Sequence, residues 1–291
     1  MTGWDLESYE TSRREKGVEA VTLNKELGTI KRFLEYCARV ELVDETLPEK
    51  VVPPDVEKQA DVDETKLSGE RANEHLAYYD EHEYGCAKHA TLALAWFTGA
   101  RVGALYGLDL EYYHSDDQYV EFLHEPDRGL PLKNDTDGER AVALPEYAVD
   151  VVDEYIDEHR RDYYADDGSQ PLFTTANGRA SDGTLQSWIY LATQPCLLKP
   201  CPHGKDRETC EFVGHTFASK CPSSRAPHQV RTGSITWHLN RGVPIEKVAE
   251  RVNTSIRTLK KHYDVTSRRE EMEARRRESV DKLTFDTGGE Q

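Results

Sequence analysis

The sequence predicts a mainly α protein with a small antiparallel sheet (α+β), arranged as a short helical N-terminal part and a larger second part. Three observations carry this. Leu23, Leu27, Ile30, Leu34 and Cys37 recur at helical spacing and form one apolar stripe. Residues 47–62 contain Pro48, Pro53 and Pro54, several charges and no period, which reads as an interdomain linker. From Tyr119 the apolar period shortens to that of strands. The division is accordingly 1–62, helical domain and linker; 63–268, the main domain; and 269–291, a charged helix and tail.

Taken in order, the stripe over 23–37 is a helix with one face in a core. Ser68 is a suitable N-cap for a second helix that carries Ala72, Leu76 and Tyr79 on one side. Residues 90–97 are apolar all round, so that helix is buried, and Gly99 ends it in the left-handed manner of a C-cap. Three strand-like runs follow at 119–123, 129–133 and 140–144, with Asp137-Gly138 as a hairpin turn between the last two. Ala148, Val152, Tyr155, Ile156 and His159 mark another amphipathic helix, and 185–191 a further one. Residues 268–277 form a charged helical stretch ahead of a polar tail.

Composition limits the function classes. The 291 residues hold 54 Asp and Glu against 37 Lys and Arg, a formal net charge of -17, with a mean hydropathy of -0.75. No stretch reaches the roughly 18 to 20 apolar residues of a spanning helix, and the first residues lack the pattern of a secretory signal. The sequence therefore predicts a soluble protein of the host cytoplasm with no membrane partner. Such an acid excess keeps proteins hydrated when salt screens charge over a few Å, which points to a salt-loving host. The charge is uneven: residues 196–263 hold 12 Lys and Arg against 5 Asp and Glu. A basic segment in an acidic shell suits a polyanion.

Four constellations carry chemistry. In Thr98-Gly99-Ala100-Arg101 an arginine directly follows a buried helix and its glycine stop, pinned by the core and aimed outward; alone it would be an ordinary surface arginine. Lys133 stands at the end of a strand before the 134–138 turn, where a lysine can reach into a groove or merely solvate an edge. In Pro227-His228-Gln229-Val230-Arg231, Pro227 suits the first helical position. His228 and Arg231, three apart, then share a face at the positive end of the helix, where phosphate oxygens are favoured. Finally Asn253-Thr254-Ser255 breaks and caps a helix before Lys260-Lys261-His262-Tyr263; a tyrosine there can react, stack, or simply pack.

In this order the four resemble the tyrosine recombinase (integrase) family, in which an Arg follows a T-G-x-R turn, a Lys sits on a hairpin, an H-x-x-R pair opens a helix and a Tyr closes the set. The corresponding residues are Arg101, Lys133, His228, Arg231 and Tyr263. The likeness spans about residues 65–265, and the N-terminal part resembles the family's core-binding domain. Two positions depart from the pattern. The residue three after the first Arg, often acidic, is Ala104, and the place often held by His or Trp is best matched by Asn253, with His262 and His238 as alternatives.

The resemblance implies a site-specific DNA recombinase. Arg101 and Arg231 would clamp the non-bridging oxygens of a DNA phosphate. Tyr263 would attack phosphorus to give a 3′-phosphotyrosyl link, Lys133 would protonate the departing sugar oxygen, and His228 would handle the tyrosine proton. No cofactor is needed for this catalysis. The implied partner is double-stranded DNA with a specific attachment site, bound by a homotetramer when two sites are synapsed and by a protein that is monomeric or dimeric when free. Two other readings share the scaffold: a type IB topoisomerase-like enzyme, and a DNA-binding regulator on an inactive recombinase fold.

Four of the six cysteines cluster at Cys196, Cys201, Cys210 and Cys221, with His203 and His215 among them. In a cytosolic protein, clustered Cys and His favour zinc over disulfides. The expected ligands are the four thiolates, with His203 as the first substitute, in a closed structural site; unpaired buried thiols are the plainer reading. The 196–221 insertion, together with the motif that follows it, resembles the integrases of halophilic archaea and their viruses, in keeping with the acidic composition and with the genome of a virus or plasmid as the element moved. Cys37 and Cys86 are expected in the core.

Overall fold

The computed structural model describes residues 2–56 and 65–262. The chain forms two compact units, Met1–Glu64 and Thr65–Gln291. In the first, α1 (Gly3–Glu15) starts at Thr2, whose backbone N–H donates to the Asp5 carboxylate at 2.7 Å, and α2 (Ala20–Arg39) follows. The stripe read from the sequence is the buried face of α2: Leu23, Leu27 and Leu34 pack with Leu6, Leu47 and Val51. Each leucine so buried contributes about 2–3 kcal/mol. Arg13 Nε donates to Glu26 at 2.8 Å and ties the two helices.

The reading of 47–62 as linker needs correction at its start. Leu47–Lys50 is a 3-10 turn, Leu47 and Val51 are buried, and Asn24 Nδ2 donates to the Pro54 carbonyl at 2.7 Å. Prolines without periodicity here mark a segment folded back on α2, because apolar side chains at 47 and 51 outweigh the lack of regular backbone bonds.

In the second unit, α3 (Gly69–His82) is capped by Ser68, whose Oγ accepts from Arg71 N at 3.2 Å. Next comes α4 (Ala87–Thr98), which is buried over nearly its whole surface and so lies at the centre of the core. Around it pack α6 (Glu146–Glu154), α7 (Asp182–Ala192) and α8 (Pro227–Asn240). Cys37 is buried on α2 as expected, whereas Cys86, the N-cap of α4, is half-buried and packs against the core. Gly99 ends α4 at φ 60°, and a Cβ there would stand 2.8 Å from Val252 Cγ1. Gly99→Ala combines left-handed strain with a clash against the buried Val252 side chain, so it should cost about 2–4 kcal/mol in chemical unfolding.

The sheet differs from expectation. Strands β1 (Tyr113–His114), β2 (Tyr119–Phe122) and β3 (Arg140–Ala143) are antiparallel in the order β1-β2-β3, with Val120 opposite Val142 and Phe122 opposite Arg140. The run at 129–133 is not a strand. Gly129 is left-handed at φ 74°, and Pro131 has no N–H to extend a ladder beyond the single antiparallel bridge between Leu130 and Glu125; Leu130 and Leu132 are buried. Asp137-Gly138 belongs to a 3-10 turn, Asp135–Gly138, so Lys133 stands on a loop rather than at a strand end. A short hairpin, β4 (Thr174–Thr175) and β5 (Gly178–Arg179), precedes α7. Buried Asp109 anchors this region by accepting from Arg128 at 2.6 Å and Arg179 at 2.5 Å. The helix at 148–159 is α6 continued by one π turn, Tyr155–His159. The expected charged helix over 268–277 lies outside the described residues.

Three buried histidines, His75 on α3, His89 on α4 and His238 on α8, are each pushed down to about 4, in every case chiefly by burial. The folded protein thus resists protonation that the unfolded chain accepts below about pH 6.5. Their stabilising effect is complete above that pH and is lost as pH falls toward 4, by up to about 1.4 kcal/mol per pH unit for each. Urea unfolding at fixed salt should show a stability several kcal/mol lower at pH 5 than at pH 7.5; equal midpoints would mean these rings are already charged in the fold.

Candidate active site

The site is built on the end of α9 (Ile245–Val252). Strongly amphipathic, α9 buries Val248, Ala249 and Val252 against Ile235 and Leu239 of α8 and Leu259 of α10 (Ile256–His262). Asn253 ends it in the left-handed region, φ 48° and ψ 74°. The last carbonyls of a helix lack intrahelical partners and carry its negative end. Here three arginines from three other elements take three successive ones. Arg140 Nε on β3 donates to Arg251 O at 2.8 Å, Arg231 Nη2 on α8 to Val252 O at 2.8 Å, and Arg101 Nη1 to Asn253 O at 3.2 Å.

Arg101 is the N-cap of α5 (Val102–Tyr106), placed by the Gly99 turn at the end of α4. Arg231 is 1% exposed, and its Nη1 reaches the Gly99 carbonyl at 2.5 Å, so one guanidinium joins the end of α4 to the end of α9. The position of α8 follows from small residues: a Cβ on Gly233 would fall 1.9 Å from the Leu67 carbonyl oxygen. Arg251 itself donates to the Phe97 and Ala143 carbonyls, both at 2.7 Å from Nη2, and burial lowers the proton affinity of its guanidinium.

Lys133 lies exposed on the loop between β2 and β3, and the loop is pinned on both sides of it. Leu132 N donates to His124 Nδ1 at 3.0 Å, and Asn134 Nδ2 to Asn253 Oδ1 at 2.9 Å. Asn253 Nδ2 turns toward the Asp137 carbonyl at 3.4 Å. This close approach requires glycine at 138, where a Cβ would meet Asn253 Nδ2 at 2.9 Å. A cleft of about 400 Å³ results, with Arg101, Ala104, Lys133, Arg140, Asp182 and Asn253 in its lining.

Of the residues singled out in the sequence, Arg101, Lys133 and Asn253 line one cleft, and Arg231 is bonded to the backbone beside it. His228 is exposed in the first turn of α8, one turn before Arg231. Tyr263 is next in the chain after α10 and lies outside the described residues. His238, one of the alternatives to Asn253, is buried with Nδ1 2.8 Å from the Ser234 carbonyl. Sequence reasoning missed Arg140 and Asn134. The signal for Arg140 was an arginine opening a strand whose neighbouring positions are apolar.

Cys196, Cys201, Cys210 and Cys221 are half-buried with free thiols, and His203 Nε2 lies 2.9 Å from Ser223 Oγ. Among the described residues, no three His, Cys, Asp or Glu side chains come together to hold a metal ion. Arg207 Nη1 donates to Cys196 Sγ at 3.0 Å. As arranged, the four thiols and His203 do not converge on a single point that could hold zinc. No helix among the described residues is long and apolar enough to cross a membrane.

The fold is that of the DNA recombinases and integrases. Its structural neighbours include the Tn1549 transposon integrase in complex with transposon right end DNA, with a TM-score of 0.63 at 16% identity over 94% of this chain and 85% of that one. XerA recombinase gives a TM-score of 0.52 at 16% identity, over 98% of this chain and 84% of that one. A lambda integrase tetramer bound to a Holliday junction gives 0.58 at 11% identity, over 92% and 66%. No protein-family model matches the chain, and a search of curated proteins finds no match.

Proposed function

We propose that the protein is a site-specific DNA strand transferase of the tyrosine recombinase type. The observation that carries this is the meeting of Arg101, Lys133 and Asn253 in one cleft beside Arg231, through bonds to a single helix end. In this reading the Tyr263 oxygen attacks phosphorus and forms the Tyr–P bond while the bond to the 5′ sugar oxygen breaks. The tyrosine proton passes to His228, and Lys133 gives a proton to the departing oxygen. The two arginines hold the non-bridging oxygens and stabilise the charge that grows on them. A 5′ hydroxyl from another strand then displaces the tyrosine, so bond energy is conserved and strands are exchanged. The N-terminal unit would grip the same DNA as a core-binding domain.

A neighbour caught as a tetramer on a Holliday junction supports a synaptic homotetramer here too. Integration or excision of a viral or plasmid genome in a halophilic archaeal host is the biological setting we propose, on the strength of the acid excess of -17 and the basic segment within it. The test is direct. A duplex selected from a random pool by binding is nicked near its centre and incubated with the protein, and denaturing electrophoresis is used to look for a covalent adduct. An adduct supports strand transfer. Tight binding without adduct across sites and salt would favour a regulator on an inactive scaffold.

Lys133 provides a further check. Lys133→Ala should slow cleavage by about 10²–10⁴-fold, the usual value of a general acid. A substrate with sulfur in place of the departing 5′ oxygen leaves as a thiolate without needing that proton, so on it the variant should approach wild type. Unchanged impairment with sulfur would assign Lys133 to binding instead.

A further inference from the structure

We propose that Arg140 is a third phosphate-binding guanidinium of this cleft, an inference that rests on the strand-transfer reading for its substrate but not for its anion. Arg140 opens β3, and its planar group lies over the Phe122 ring with 4.4 Å from Cζ to the ring centroid. Two of its three nitrogens are committed to the protein: Nε to Arg251 O and Nη1 to Gly138 O, both at 2.8 Å. Nη2 has no hydrogen-bond partner among the described residues, yet it is not sealed from solvent, and the residue lines the cleft with Arg101 and Lys133.

Charge strengthens the case. Neither Arg140 nor Arg101 is in an ion pair with a carboxylate among the described residues; both are held by neutral carbonyls. Burial, then the nearby Arg231 and Arg101, bring the Arg140 guanidinium down to about 10. Holding like charges together in a partly buried cleft is unfavourable until an anion arrives. A guanidinium with two nitrogens fixed and one turned outward is also already oriented for a single charge-assisted bond to an oxygen.

The two halves of the test separate this proposal from the one it rests on. In the first, thermal unfolding is followed with added sodium sulfate against sodium chloride of equal ionic strength. Sulfate should raise the unfolding temperature of wild type more than that of Arg140→Gln, with Arg140→Lys between them; equal gains overturn the proposal whatever the protein does to DNA. In the second, the selected nicked duplex carries either a normal scissile phosphate or a methylphosphonate, which lacks one negative oxygen. Arg140→Gln should cleave the normal duplex about 10²–10³-fold more slowly but come within a few-fold of wild type on the neutral one. A variant that has merely lost its fold, or whose arginine only props the loop, would be slow on both, and that result overturns the proposal. If wild type forms no adduct on either duplex, the strand-transfer reading fails and the sulfate comparison still decides Arg140.

Discussion

Tyr263→Phe should bind the selected duplex as tightly as wild type, within about twofold, and form no covalent adduct at all. The substitution removes one hydroxyl and keeps the ring, so packing and electrostatics change little while the only atom able to bond phosphorus disappears. Its assignment comes from chain position: Tyr263 directly follows α10, ten residues past the Asn253 turn on which the arginines converge. Mobility-shift titration and denaturing electrophoresis on the same samples separate binding from chemistry. An adduct that persists in the Phe variant would place the nucleophile elsewhere and detach the cleft from Tyr263.

The second large effect is expected at Arg231, where stability and chemistry fall together. Its guanidinium is buried and satisfies the Gly99 and Val252 carbonyls. Arg231→Ala leaves both acceptors buried and unpaired and opens a void the length of the side chain. Each orphaned carbonyl costs about 1–3 kcal/mol, so the total should reach about 3–5 kcal/mol, enough to threaten folding of a domain with ordinary stability. Arg231→Lys keeps the charge but replaces the planar two-nitrogen fork with a single nitrogen, so it should remain folded while cleavage drops by about 10²–10³-fold. Denaturant titration and single-turnover cleavage of both variants check this. Near-normal cleavage by the Lys variant would mean that Arg231 acts through structure alone.

The contrast between these two residues shows what a sequence can reveal. Arg231 was singled out because helix geometry places it one turn after His228 on a helix opened by Pro227, although the fold buries Arg231 and leaves His228 exposed. The buried α4 and its Gly99 stop were legible for the same local reason. Arg140 was not, because nothing near it in the sequence indicates that its partners are Gly138 and Arg251, the second of them 111 residues away. The run at 129–133 was misread because alternation of Leu130 and Leu132 satisfies the strand pattern, whereas Pro131 and left-handed Gly129 prevent the ladder. Similarly, prolines at 48, 53 and 54 look like a spacer until Leu47 and Val51 are seen to be buried. The cysteine spacing suggested a metal, but spacing alone does not say whether four thiols converge, and among the described residues they do not.

The three bonds at the end of α9 also set an order of events in the life of the chain. They span sequence separations of 152 residues for Arg101 with Asn253, 111 for Arg140 with Arg251, and 21 for Arg231 with Val252, while Arg231 reaches back 132 residues to Gly99. Contacts between such distant positions form only after the intervening chain has closed its loops, and they are among the slowest to assemble. During synthesis, helices α3 to α7 can collapse while the cleft is still missing one wall. The guanidiniums acquire their final orientation only when residues 251 to 253 have left the ribosome and α9 has docked. A nascent chain that stops before residue 251 therefore holds Arg101, Lys133, Arg140 and Arg231 without the helix end that orients the arginines.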